Sequence, residues 1–326
     1  MLYFVLFVLI CTIFVTAIKY LNKASIKSLK GRHVVITGGS SGIGQAVAIL
    51  AAQQGAHVSI LSRNQDKLDT AAKKIEEHSK IEQKISKESV DVSNKKQVER
   101  AILKLEETVG PIYMLVNCAG QAICGRVETF SEAEIQQLIS VNLIGTIYPI
   151  QAVLSKFKTR REGIIVLTGS AVSLMGMYGY SIYSACKFAL RGLAESIYME
   201  AKPYNIQVTL AVPPDTDTPG FEEENKSKPK ETRLMSESGG LYSPETVAKH
   251  LLEDALSGNF FSYVGFESFI LTTLCVGMSP FKSLSDVLCQ FIFLGPLRLI
   301  AAFYVKHFEG ITTKCFSETV LDSKND

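Results

Sequence analysis

Between residue 31 and about residue 266, short apolar runs alternate with longer stretches whose apolar positions recur every three or four residues. The runs are HVVITG (33–38), HVSILS (57–62), SVDV (89–92), YMLVNCA (113–119), GIIVLTGS (163–170), IQVTLAVP (206–213) and FSYVGF (261–266). Their length and β-branched content predict strands, and their nearly unbroken hydrophobicity predicts burial on both faces. Intervening segments such as QDKLDTAAKKIEEHS and QVERAILKLEETV have the period of amphipathic helices. Strand–helix alternation of this kind predicts one α/β domain over 31–266, a doubly wound parallel sheet with helices on both sides.

One connector breaks the pattern. Residues 214–242 are polar, hold Pro and Gly, and are long for a loop, so they are expected to be either disordered or a lid. The two ends of the chain differ from the middle in the opposite sense. Residues 1–18, MLYFVLFVLICTIFVTAI, carry no charge, and Lys19, Lys23, Lys27, Lys30 and Arg32 follow. A charge-free stretch of this length, without a basic leader or cleavage site, predicts a membrane anchor over 1–20. The basic flank predicts that the rest of the chain faces the cytosol. Residues 267–310 are also apolar, but Lys282, Asp286 and Arg298 interrupt them and Pro296 is expected to kink them. A re-entrant or interfacial hairpin is the first expectation there, two spans the second, and a packed subdomain the third. Residues 311–326 read as a polar tail.

Composition changes this picture little. Lys and Arg number 34 against 32 Asp and Glu, which removes any electrostatic reason to expect nucleic acid. Seven scattered cysteines without C-x-x-C pairs or His partners predict free thiols and no metal site. Oligomeric state is left open, a homo-oligomer included.

The chemistry gathers at strand ends. TGGSSGIG (37–44) follows the first strand and opens a helix, placing Gly38, Ser40, Ser41, Gly42, Ile43 and Gly44 where backbone N–H groups meet a pyrophosphate. This is the dinucleotide site of a Rossmann-type sheet. At the end of the second strand, Ser62 and Arg63 stand where a carboxylate would bind a ribose diol, with Lys67 one turn on. Two cations and no acid favour a 2′-phosphate, hence NADPH. Asp91, read as the end of the third strand, is a candidate acceptor for the adenine amine.

Two Tyr-x-x-x-Lys pairs follow, YSACK (183–187) and YMEAK (198–202). One helical turn brings phenol and ammonium together in each, and a nearby Lys is expected to lower the phenol's pKa from about 10. Ser170, at the end of the fifth strand, lies 13 residues before Tyr183, whereas Ala185 holds that place before Tyr198. Tyr198 also falls about 22 Å further along the same helix. Tyr183 and Lys187 are therefore the candidate pair, and YMEAK a chance spacing.

TGGSSGIG, NCAG (117–120), Asn142 in VNLIG, Ser170 and YSACK together resemble the short-chain dehydrogenase/reductase family over 31–266. The resemblance implies that Tyr183 is the general acid, that Lys187 lowers its pKa and holds the nicotinamide ribose, and that Ser170 polarises a carbonyl. It also implies a proton relay through Asn142, cofactor contact at Asn117, and nicotinamide contact from Pro213 and Thr218. Cys118, Gly169 and Pro214 depart from the family's pattern without removing a catalytic group. KPYNIQVTLAVPPDTDTPGFEEENKSKPKETRLMSE resembles a branch of the family that reduces long-chain sphingoid ketones with NADPH in sphingolipid synthesis. That branch implies the lipid bilayer as a partner and the endoplasmic reticulum membrane as the location. The lid's acidic run Glu222, Glu223 and Glu224 could meet an ammonium, although a solvated acidic face reads equally well. Reduction of a steroid or retinoid carbonyl, and a cofactor-binding scaffold without turnover, remain the other readings. NKS (225–227), a glycosylation sequon in the lid, is expected to stay unmodified in the cytosol.

Overall fold

The computed structural model describes residues 27–322; the anchor expected at 1–20 lies outside the described residues. Seven parallel strands form one sheet: β1 His33–Thr37, β2 His57–Ser62, β3 Ile85–Ser89, β4 Ile112–Asn117, β5 Gly163–Thr168, β6 Ile206–Ala211 and β7 Phe261–Ser262. Their spatial order is β3-β2-β1-β4-β5-β6-β7. The order reverses between β1 and β4, where Thr37 pairs with Asn117. That switch point opens a crevice at the carboxyl ends of the strands.

Alternate strand residues feed two separate cores, which explains the unbroken apolar runs. Val34, Ile36, Val58, Ile60, Met114, Val116, Ile164 and Val166 face one side. They pack on α1 (Gly42–Gln53), α2 (Gln65–Glu76) and α9 (Pro244–Ser257). Val35, Leu61, Leu115, Ile165 and Leu167 face the other. There they meet α3 (Lys95–Thr108), α5 (Gly145–Arg160) and α6 (Ser181–Ala201). The side chains of α1 that reach the sheet are small, Ala48 and Ala51 among them, so its axis runs close to the strands and its N-terminus close to the crevice.

Two expectations need correction. The third strand is Ile85–Ser89 rather than 89–92, so Asp91 lies beyond its end. This strand sits at the sheet edge and is only half-buried, so its sequence ISKES lacks the apolar signature of the central strands. β5 ends at Thr168, two residues before Ser170. At the C-terminus, the apolar region forms two unequal helices, α10 (Gly265–Leu274) and α11 (Leu284–Asp322). Pro296 lies inside α11, which continues through it.

Segment 214–242 is ordered as α7 (Pro219–Ser227), α8 (Lys230–Ser236) and the turn Glu237–Gly239. Thr218 caps α7, its hydroxyl accepting from Phe221 N at 3.1 Å. In α11, residues 284–318 are long and apolar enough to cross a membrane, and only 11% of their most apolar window is buried. Phe291, Leu299, Phe303 and Phe316 are exposed along it. The stretch 132–160 meets the same length and composition test. It consists of α4 (Glu132–Ile139), a π-helical turn Ser140–Ile144 and α5, and Ile150, Val153 and Phe157 bury it against the sheet.

Candidate active site

The glycine-rich turn after β1 is shaped by backbone that side chains would obstruct. Gly38 and Gly42 have φ of +68° and +53°, in the left-handed region. A Cβ on Gly38 would meet Ala119 N at 2.7 Å, and one on Gly44 would meet Gly38 O at 2.4 Å. Ser41 begins α1 without capping it through its side chain, so the helix presents N–H groups toward the crevice, the arrangement that binds an anion. Ser40 ties the turn to β2 by donating to Ser62 Oγ at 2.8 Å, and Ile43 packs against the first core. A Cβ on Gly42 would lie 2.9 Å from Thr218 Cγ2, so the start of the cap segment closes over the turn.

Around this cradle, Arg63 and Lys67 are exposed, and neither has a carboxylate within ion-pair distance among the described residues. Asp91 uses Oδ1 to accept from Ser93 N and Ser93 Oγ, at 2.9 and 2.7 Å. Asn117 is buried and its Nδ2 donates to Val166 O at 3.1 Å, binding β4 to β5. Its Oδ1 is buried and has no hydrogen-bond partner among the described residues, so half of the amide serves the sheet and half is unspent. Cys118 Sγ lies 3.3 Å from Thr168 Oγ1, and burial pushes the thiol up to about 11.

Four candidate catalytic residues come from three elements. Asn142 sits on the π-helical turn, a deviation frequent at functional sites. Its Oδ1 accepts from Gln121 N at 3.2 Å, and its Nδ2 donates to Gln121 O and Leu138 O at 2.9 and 3.0 Å. Lys187 is buried, and its Nζ donates to Thr168 O at 2.9 Å. Gly120 lies between them: a Cβ there would be 3.0 Å from Asn142 Oδ1 and 3.5 Å from Lys187 Nζ. One turn before Lys187 on α6, Tyr183 is hydrogen-bonded to Ser170. Lys187 Nζ stands 5.4 Å from the centre of the Tyr183 ring.

The electrostatics differ from the expectation. Burial pushes the Tyr183 phenol up, the Glu224 carboxylate adds to this, and the Ser170 hydrogen bond opposes it. Lys187 does not reverse this direction; its ammonium is engaged by the Thr168 carbonyl. Burial also lowers Lys187 to about 8. The result is a phenol held in its proton-bearing form beside an ammonium. Tyr198 and Lys202 share the i, i+4 spacing, and Lys202 Nζ donates to the Tyr198 hydroxyl at 3.1 Å, a bond that Lys187 and Tyr183 do not make, but they do so at the surface, with Tyr198 edge-on to Phe260. Chemistry needs a strand end nearby, and only Tyr183 has one.

The profile of the short chain dehydrogenase family matches residues 32–229. This chain belongs to that family. Family membership makes it an oxidoreductase that uses a nicotinamide cofactor, and the glycine cradle with its open helix N-terminus fits one. Over 293 residues the chain is 46% identical to the 3-ketodihydrosphingosine reductase of Bos taurus, covering 89% of this chain and 88% of that protein. The Mus musculus protein of the same name is 47% identical over 290 residues, covering 88% and 87%. The 3-dehydrosphinganine reductase of Danio rerio is 45% identical over 289 residues, covering 88% and 87%. Among solved structures, levodione reductase superposes with a TM-score of 0.67 at 26% identity, covering 74% of this chain and 99% of that one.

Sequence reading passes over several residues at the edge of the short-chain dehydrogenase site. Tyr180 packs beside Tyr183, ring centres 5.7 Å apart, and Asp215 acts on its phenol together with Glu224, which sequence could not separate from its neighbours; Lys228 stands beside both carboxylates. The signals available were the i, i+4 pair Glu224–Lys228 and a second tyrosine three residues before the first. Gly44→Ala tests the cradle. Because its Cβ would strike the Gly38 carbonyl, the variant should lose at least tenfold in affinity for the nicotinamide cofactor, measured by fluorescence titration.

Proposed function

We propose that this protein reduces the 3-keto group of a long-chain sphingoid ketone, 3-ketodihydrosphingosine, to the alcohol, with NADPH as the reductant. The observation that carries the reading is an apolar cavity of about 840 Å³ beside the candidate catalytic residues. It starts at Ala171 and Pro214, passes Met177 and Leu271, and ends along α11 at Ala301 and Val305. A chamber of this size and polarity suits an alkyl chain. Its far wall is the helix whose other residues are exposed and apolar, which gives a bilayer-borne substrate a short path. The three vertebrate relatives carry names for this reaction, and they match along nearly their whole length.

In this reading the bound cofactor supplies a hydride to the carbonyl carbon. Tyr183 gives its phenolic proton to the carbonyl oxygen, so the product is a neutral alcohol. The Ser170 hydroxyl donates a hydrogen bond to the same oxygen as negative charge develops on it. Lys187 steadies the phenolate left behind and holds the ribose, and its ammonium lies across Gly120 from Asn142, the candidate relay that returns the proton. Arg63 and Lys67 meet the 2′-phosphate that distinguishes NADPH. α11 and the apolar N-terminal residues 1–18 support attachment to the endoplasmic reticulum membrane, with the catalytic domain in the cytosol.

Three outcomes test this reading. Tyr183→Phe should reduce kcat at least a hundredfold while leaving NADPH affinity within about twofold, whereas Tyr198→Phe should change kcat by less than about twofold. Both are measured with membranes carrying the chain and 3-ketodihydrosphingosine; reduction of a steroid ketone with no turnover of the sphingoid overturns the substrate. Arg63→Ala should raise the KM for NADPH at least tenfold more than that for NADH, and equal effects would remove the phosphate assignment. The third concerns pH. Lys187 is held at about 8, below its ordinary 10.5, so its ammonium is lost as pH rises through about 8. The pH profile of kcat/KM should therefore fall on its alkaline side with an apparent pKa of about 8. Between about 8 and 10.5 the unfolded chain keeps the proton that the folded chain has lost, so Lys187's contribution to stability should rise as activity falls.

A further inference from the structure

The cap segment half-buries two carboxylates beside Tyr183, Glu224 and Asp215, the latter with a side chain 30% exposed, and gives them a single cation. Lys228 has a side chain 2% exposed and Glu224 one 14% exposed, with Lys228 Nζ 2.9 Å from Glu224 Oε1. Asp215 Oδ2 is 3.7 Å from the same ammonium. Lys228 Nζ makes no contact of hydrogen-bonding geometry, so the pair is one of proximity, and the ammonium lies 4.4 Å from the centre of the Phe221 ring. Among the described residues, no other cation stands within ion-pair distance of either carboxylate. With both ionised, the group is one positive charge short. Burial holds Asp215 above the usual carboxylate range, the response of a buried acid that lacks a full counter-charge.

The position of this group matters as much as its charge. The Tyr180 hydroxyl donates to Glu224 Oε1. The Tyr180 ring centre is 5.7 Å from that of Tyr183. Asp215 also lines the apolar cavity. The unmatched negative charge therefore reaches the cavity wall at Asp215 and acts on the Tyr183 phenol through Glu224 and Asp215. Glu222 and Glu223 are exposed, and Glu223 pairs with Lys226, so the acidic run is divided by structure into one inward and two outward residues.

We propose that Glu224, supported by Asp215, receives the ammonium of the substrate's amino group and thereby aims the neighbouring carbonyl at Tyr183. This rests on the sphingoid-ketone reading. In such a ketone the ammonium and the carbonyl oxygen are on adjacent carbons, so a carboxylate and a phenol linked through Tyr180 can engage both, each by a hydrogen bond of about 2.8 Å. The ammonium completes the charge that Lys228 leaves unmatched. Glu224 and Asp215 then act as specificity residues, because a ketone without the amine leaves a buried carboxylate short of its counter-ion.

The test compares 3-ketodihydrosphingosine with the same long-chain hydroxy ketone lacking its amino group, using the full chain in detergent with NADPH. The wild type should favour the amino ketone at least tenfold in kcat/KM. In Glu224→Gln that preference should fall to within about twofold, and Asp215→Asn should narrow it less. Equal losses on both ketones in Glu224→Gln would mean that the carboxylate only clamps the cap, and would overturn the proposal. Equal use of the two ketones by the wild type would overturn it as well while leaving the sphingoid reading intact; no turnover of the amino ketone would remove that reading itself. Should thermal melting show that Glu224→Gln does not fold, inhibition of the wild type decides. A long-chain primary amine should then compete at least tenfold more tightly than the matching alcohol, and equal inhibition would overturn the proposal.

Discussion

A lysine ammonium buried at a strand end is the constraint on which the site depends. Lys187 is 4% exposed, and a charge so placed must find a dipole or a counter-ion. It finds the Thr168 carbonyl, the last residue of β5. That bond draws the first turns of α6 against the sheet, which brings Tyr183 into contact with Ser170, two residues beyond the same strand. Its cost is visible in the lowered pKa of the lysine. The arrangement is therefore one that packing tolerates for the chemistry it allows, rather than one that packing prefers.

The sheet supplies the rigidity that this arrangement needs. Both faces of β1, β4 and β5 are sealed by apolar side chains, so the strand ends cannot shift without disturbing two cores at once. Reversal of strand order between β1 and β4 leaves the crevice in which the glycine turn, Gly120 and Lys187 converge. The cap of α7 and α8 closes one side of it. Two walls of different character result: a polar one beside α1, suited to a dinucleotide, and an apolar one reaching α11, suited to a chain of methylenes.

The central strands were legible because burial on both sides demands continuous hydrophobicity, and HVVITG or GIIVLTGS admits no other reading. β3 was not, because an edge strand is half solvated and its sequence need not be apolar. The glycine turn and YSACK were legible because backbone approach and an i, i+4 pair are local properties. The path of the C-terminal region was not. Pro296 reads locally as a kink, and α11 runs through it as one helix. A helix can carry one proline when the rest of its ladder is intact.

Sequence by itself determined the central strands, the dinucleotide cradle, and which tyrosine lies within reach of a strand end, since these follow from periodicity and from spacing along one element. The direction of Tyr183's pKa, the separation of Glu224 from its two neighbours, and the single cation shared by Glu224 and Asp215 were decided only by the fold. Each depends on how far a group is withdrawn from water and on what distant segments bring to it. Desolvation and long-range charge are properties of the folded surroundings, and no local spacing encodes them.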